Sequence, residues 1–555
     1  MLKMAELEKK RVEQHRKDLG DEGLKQKEKE LNNAKEENER EAPESILTSV
    51  PLPDVAKIKF HSLNTSCNHD SSSANKIEKF PLAEIPFQFQ LDDIRTNFVQ
   101  INALLDSSEL STEERYYLPL FCEVLFESPI LRDGELMDHD EVIKQLESDT
   151  VSFGGSVGVG GSKFSCGTYP EIVHIQLKVE EKKYKEGVNW LKDLLYHTQF
   201  TAERLKIIVQ KMANSIASSK RHGMRVVRTV FQDLVHPKGC NLTATSFFRQ
   251  EKFLKNLQTK LDEDSEKVVK TMTKIKETLT NPSKMRIHMS LQVERISEMF
   301  SSPETPWLNF VPERKDKTIS MQKSKVKASH EFITDDVPFR HTIIGLGSVE
   351  SSFLIQAVPC VSDFYHKDLA AIMVFIQYMT QYEGPMWKQI RGLGLAYRYR
   401  MFVKPEQNFL YLTMTKSAHL VKAYDKGRNI IMGYINGENS FSQVNLDSAR
   451  GSLIFKIIEE EKTVTNIAQQ SLLSYFKGVD HNYNKEMLEK VAKVTIDDLK
   501  QIGSIYIAPL FDTSKARTAV CCNPSKVEEI VSDFKEIGVN LTVLQSFDED
   551  FICGI

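Results

Sequence analysis

The same order of elements is written twice in this chain, and that repetition restricts its fold more than any single motif. The first copy has a strand pattern at Phe98–Leu104, a helix opening at Ser111 and a Gly-rich strand region at Phe153–Phe164. A strand at Ile172–Val179 and an amphipathic helix over about 183–197 complete it. The second copy has a strand at Phe353–Val358, a helix over about 366–382 and a Gly-containing strand at Leu393–Val403. A strand at Phe409–Thr415 and a helix over about 417–435 follow. Matching elements are offset by about 237 (171→408) to 255 (98→353) positions, which indicates a duplicated α+β unit of some 240 residues. Local chemistry agrees with these assignments. Ser111 and Glu114 have capping-box spacing, and Val188, Leu191, Leu194 and Leu195 share one helix face.

Two segments lie outside the copies. Residues 1–41 carry 11 basic and 12 acidic side chains, interrupted by Gly20 and Gly23 and closed by Pro43. This reads as two exposed helices, about 4–19 and 24–40, joined into a hairpin, with a disordered charged tail as the alternative. A chain opening on such a linker suggests that something precedes it. The stretch 301–336 is rich in Lys, Ser and Pro and reads as a linker. The resulting division is 1–45 helical hairpin linker, 46–300 first α+β domain, 301–336 linker and 337–555 second α+β domain. The expected fold class is α+β, with two homologous antiparallel-sheet-plus-helices domains.

Most catalytic and binding chemistries find no support in the residues. None of the 14 histidines is three or four positions from another, so neither H-E-x-x-H nor H-x-x-E-H can form and no metal ligand set is expected. His139 in the DHDE run reads as an exposed acidic turn. In FGGSVGVGGSKF, Gly161 stands where a P-loop needs lysine and Lys163 where a dinucleotide loop needs glycine. Its small residues instead suggest a strand approached closely by another backbone. There is no G-x-S-x-G elbow. A net charge of −4 argues against nucleic-acid binding, and the longest apolar run, LAAIMVF at 369–375, is too short to cross a membrane. Eight cysteines without a C-x-x-C pair, and no apolar leader, fit a cytoplasmic protein; a mitochondrial matrix location stays open if a segment precedes Met1.

Two segments go beyond generic packing: YYLPLFCEVLFES at 116–128, a helix with Pro119 inside its run, and MWKQIRGLGLAYRYR at 386–400. With the hairpin and the duplicated unit in the same order, they resemble the carboxy-terminal half of the inverzincin metallopeptidases, the pitrilysin and insulysin family. The likeness is greatest to the presequence-protease branch and its uncharacterised cytosolic relatives. The resemblance covers about residues 5–550. It implies half of a clamshell that encloses unstructured peptide substrates. It also implies a partner, the zinc-bearing amino-terminal half, on the same or a separate chain, so zinc belongs to the complete enzyme and is not bound by this chain. Finally, it implies that Arg391 and Tyr397 support the substrate carbonyl, and that Gly392 and Gly394 let substrate backbone come close.

Taken alone, Arg391 reads as a helix-end cation and Tyr397 as a half-buried strand aromatic. Met386 and Trp387 read as core. The alternative function is a non-catalytic peptide-binding or assembly subunit of the same family. A bowl-shaped half is also expected to leave an apolar concave surface uncovered.

Overall fold

The computed structural model describes residues 2–40, 43–49, 51–68, 77–312, 326–335 and 340–545. The chain divides into two compact units, Met1–Pro53 and Asp54–Ile555. In the first, the expected pair of helices is present within Leu2–Glu39, here α1, separated by a kink at Gly20, whose φ of 61° and ψ of −179° are non-helical. Gly23 continues the helix, because its φ stays in the region any residue adopts. Along α1, Arg11–Glu8 and Lys27–Glu30 pair one turn apart, exposed contacts that add only tenths of a kcal/mol each.

The second unit contains two six-stranded sheets. The first comprises β1 (Asn64–Cys67), β2 (Gln88–Asp93), β3 (Phe98–Asp106), β4 (Ser152–Val159), β5 (Thr168–Glu180) and β6 (Arg286–Leu291). The second comprises β7 (His341–Gly345), β8 (Ser352–Pro359), β9 (Ala396–Lys404), β10 (Phe409–Ser417), β11 (Arg517–Cys522) and β12 (Thr542–Leu544). Their spatial orders, β1-β2-β6-β3-β5-β4 and β12-β7-β11-β8-β10-β9, correspond over five strands and differ at one edge, where β1 is the first strand of its copy and antiparallel while β12 is the last and parallel. In both, a strand from late in the copy is inserted between two early ones, parallel to one neighbour and antiparallel to the other. The duplicated α+β architecture is therefore present, but the sheets are mixed rather than antiparallel.

Local detail follows the sequence closely in several places. The capping box forms with both bonds, from Glu114 N to Ser111 Oγ and from Ser111 N to Glu114 Oε2. Pro119 does not sit inside a helix. It occupies the first turn of Leu118–Val124, where the amide it lacks has no helical acceptor. The Gly-rich strand is approached by backbone as expected: a Cβ on Gly155 would lie 3.2 Å from the Cys122 carbonyl oxygen. Asp138 caps the helix His139–Asp149, which places DHDE at a helix start.

The expected domain boundaries cut through packed elements. Trp307 and Phe310, inside the proposed linker, are fully buried against Phe87 of the first core. Residues 313–325 and 336 of that linker lie outside the described residues. Val55, Ile58 and Phe60, assigned to the first domain, pack on the core of the second. Helix α2 (Gly223–Asp233) also belongs to the first copy, yet Phe231 packs edge-on to Tyr411 and Phe409 of the second sheet. At the start of α2, a Cβ on Gly223 would fall on the Phe353 ring. Gly223→Ala is therefore expected to destabilise the protein by about 1–3 kcal/mol through overpacking, read as a lower melting temperature.

The open face of the first sheet departs from the expected apolar bowl. Across it run Ser152, Lys178, Gln100, Ser290, Asp92 and Thr65 in one row, and Gln176, Asn102, His288 and Gln90 in the next. Helix α3 (Val464–Lys477) from the second copy lies over part of this polar face. Gln90 Nε2 donates to Ser471 Oγ at 3.1 Å, and the Arg286 guanidinium stacks 3.8 Å from the Tyr475 ring centre.

Candidate functional site

The segment carrying Arg391 and Tyr397 is a π-helical turn, Trp387–Gly392, leading into β9, an edge strand of the second sheet. Leu395 N bonds to Ile390 O at 3.0 Å across five residues, and Gly394 N to Arg391 O at 3.0 Å closes the turn. The hydrophobic side of this segment holds it in place. Met386 and Ile390 are fully buried, and Met386 Cε lies against Gly427 of the next helix. Wide turns of this type recur where a helix must present a side chain out of register.

The turn and the strand bring Arg391 and Tyr397 together. The Arg391 guanidinium carbon lies 5.4 Å from the Tyr397 ring centre, within cation–π range, and both side chains face solvent, Tyr397 at 64% exposure. The β9–β10 ladder skips Tyr397 at the position of Lys416, which takes a positive φ of 52°. As a result Tyr397 and Arg398 are both exposed, in a strand that otherwise alternates. Gly394 takes a φ of +68°, a conformation L side chains rarely adopt, with open space around it. Gly392 faces only the Trp387 carbonyl oxygen at 3.9 Å, so packing does not require glycine there.

Neighbouring groups add to the arrangement. Tyr399, two residues on, is buried and its hydroxyl has no hydrogen-bond partner. Burial pushes its phenol up, opposed by the Arg391 charge. The Trp387 ring lies tilted, 4.8 Å from that of the largely exposed Tyr382, and its buried indole nitrogen also lacks a partner among the described residues. Trp387 thus belongs to the surface of the site rather than to core alone. Along β9, Arg400 lies near Arg398, and burial together with that like charge lowers the Arg400 guanidinium. Chemically, this is a sheet edge exposing a guanidinium and a phenol that make no hydrogen bond among the described residues. Such a surface can pair with an extended chain and donate hydrogen bonds to a carbonyl oxygen.

The described residues offer no metal site. Among them no group of three or more His, Cys, Asp or Glu side chains converges. Burial pushes the Cys122, Cys166 and Cys521 thiols up, which disfavours the thiolate a metal needs. Among the described residues no helix is long and apolar enough to cross a membrane.

Comparison with known proteins bears on this arrangement. Residues 2–257 match the family described as associated with the peptidases of family M16, subfamily C. Uncharacterized protein C05D11.1 of Caenorhabditis elegans is 28% identical over 540 residues, covering 96% of this chain and 52% of that protein. Uncharacterized protein C3H1.02c of Schizosaccharomyces pombe is 27% identical over 545 residues, 95% of this chain and 51% of its own length. The chain thus spans about half the length of the curated relatives it matches. Among solved structures, a peptidase M16 inactive domain from Pseudomonas fluorescens has the same fold, with a TM-score of 0.54 at 11% identity over 83% of this chain and 97% of that one. A Helicobacter pylori protease has a TM-score of 0.55 at 12% identity, covering 79% and 97%.

Proposed function

From the premise that this chain carries the fold of the carboxy-terminal half of an M16 peptidase, we propose that it is the non-zinc half of a pitrilysin-like zinc metalloendopeptidase acting on unstructured peptides. The observation that carries the reading is the exposed Arg391–Tyr397 pair at the edge of the second sheet. When an amide carbonyl is attacked, negative charge develops on its oxygen. A phenol and a guanidinium already held beside each other can donate to that oxygen without reorganising. The free edge of β9 offers main-chain donors and acceptors to an extended substrate, and the open turn at Gly392 and Gly394 leaves room for its backbone.

In this reading the metal and its bound water belong to the partner, the amino-terminal half. The relatives' extra length is consistent with that half being continuous with this one. The test is reconstitution: this chain is mixed with the polypeptide corresponding to the remaining half, and cleavage of a quenched fluorescent peptide is followed. Turnover by the mixture and by neither part alone is expected. A stable complex that binds peptide but never cleaves it would instead assign the chain to non-catalytic peptide binding.

A further inference from the structure

The polar face of the first sheet is not fully covered. Where α3 begins, the row bearing Lys178, Gln100 and Ser290 opens into a cavity of about 730 Å³, bounded on the far side by residues 463–465. The side chains around it include three cations, Arg95, Lys178 and Arg295, of which Arg295 is paired with a carboxylate. Arg95 has no hydrogen bond or ion pair among the described residues. Lys178 sits 4.6 Å from the Phe98 ring centre and donates to Thr465 Oγ1 at 3.2 Å, with no carboxylate paired to it among the described residues. Arg295 is partly engaged, by Glu181 and by Asn97 Oδ1. Ser290 is only 2% exposed, yet it lines the cavity and its hydroxyl has no partner among the described residues. Its oxygen reaches the cavity, so it can donate to or accept from a group held there. The first-turn amides of α3 add partial positive charge at the same end.

We propose that this cavity binds the free carboxylate end of a peptide. The oxyanion would sit among Arg95, Lys178 and Ser290, and the Gln100 amide would meet the last peptide groups. A cavity this large exceeds what a bare ion fills, and the Phe98 ring gives it an apolar wall for a side chain. Lys178 belongs to the first copy and Thr465 to the second, so the bound end would be gripped by both. This assignment rests on the reading of the chain as a peptide-handling half, and adds to it a preference for ends over interiors.

The test uses the full chain and a dye-labelled decapeptide, once with a free α-carboxylate and once as its carboxy-terminal amide, followed by fluorescence anisotropy. The free acid is expected to bind about tenfold tighter or more, the size of one charge-assisted hydrogen bond. Arg95→Gln and Lys178→Gln should each remove most of that difference, and Ser290→Ala should reduce it a few-fold. Arg95 is exposed, so its variant tests the site without disturbing the fold. Equal binding of acid and amide, or an unchanged preference in the Arg95 and Lys178 variants, overturns the carboxylate site but leaves the peptide-handling reading intact. Binding of neither peptide counts against both. Displacement by inorganic phosphate at lower concentration than by an unlabelled free-acid peptide would make it a phosphate site and also overturn the assignment.

Discussion

Replacing Tyr397 with phenylalanine in the reconstituted enzyme is expected to lower kcat/KM about 10²–10³-fold, the usual cost of removing one preorganised donor to a developing oxyanion. Phenylalanine keeps the ring stacked on Arg391 and removes only the hydroxyl, so the loss should fall on kcat with KM little moved. Arg391→Ala should cost a similar factor. Arg391→Lys should recover little, because an ammonium cannot reproduce the planar fork of the guanidinium. The double variant should fall well short of the product of the singles, since both groups serve one oxygen. Peptide turnover unchanged in Tyr397→Phe and Arg391→Ala would remove both residues from the mechanism.

The largest expected effect on stability lies in the buried polar chain of the first sheet. His174 Nε2 donates to Asn102 Oδ1 at 2.9 Å, Asn102 Nδ2 to His288 Nδ1 at 3.0 Å, and His288 Nε2 to Asp92 Oδ2 at 2.7 Å. Asp92 also accepts from Thr65 Oγ1 at 2.7 Å. With the Asn102 amide so oriented, His288 accepts at Nδ1 and donates at Nε2, and His174 carries a proton on Nε2. Asp92 and His288 are completely buried, so Asp92→Ala strands the partners of its carboxylate without water. A loss of about 3–5 kcal/mol in unfolding free energy is expected from thermal or denaturant melting.

The same chain makes stability depend on pH. Burial, with the nearby His288 adding to it, lowers His174 to about 4. An exposed histidine in the unfolded chain titrates near 6.5. Between these values the unfolded chain holds a proton that the folded chain does not, so stability present above about pH 6.5 is lost as pH falls toward 4, by up to about 3 kcal/mol. His174→Gln keeps a donor toward Asn102 and cannot titrate, so its stability profile should become shallower across that window, the remaining slope coming from His236, which burial also lowers to about 4. An acid limb identical to that of the parent protein would exclude His174 as its source.

The sequence disclosed those features that depend on neighbours in the chain. The Ser111–Glu114 cap, the buried face of Val188, Leu191, Leu194 and Leu195, and the crowding of the Gly-rich strand all follow from spacing. The order of elements disclosed the duplication. Hidden were features set by distant partners. Nothing local says that Phe231 belongs against Tyr411, or that Trp307 completes the first core, because an apolar residue does not name the surface that buries it. The polar face was hidden for a related reason. Gln100, Asn102, His174, His288 and Asp92 are scattered over nearly two hundred positions and converge only when β6 inserts between β2 and β3. At the candidate site, the nearness of Arg391 and Tyr397 follows from their short separation. The wide turn and the skipped ladder position that expose both could not be read from residue types.

The inserted strands also govern how the chain can be made. The second sheet has no join between β8 and β7 until β11, at Arg517–Cys522, emerges from the ribosome. At about 5–20 residues per second, that strand follows β8 by roughly 10–30 s of synthesis. Throughout the interval the face of α2 bearing Val226, Val227, Val230 and Phe231 has no completed sheet to cover it. Nascent chains of this protein should therefore be clients of a holding chaperone until β11 has emerged.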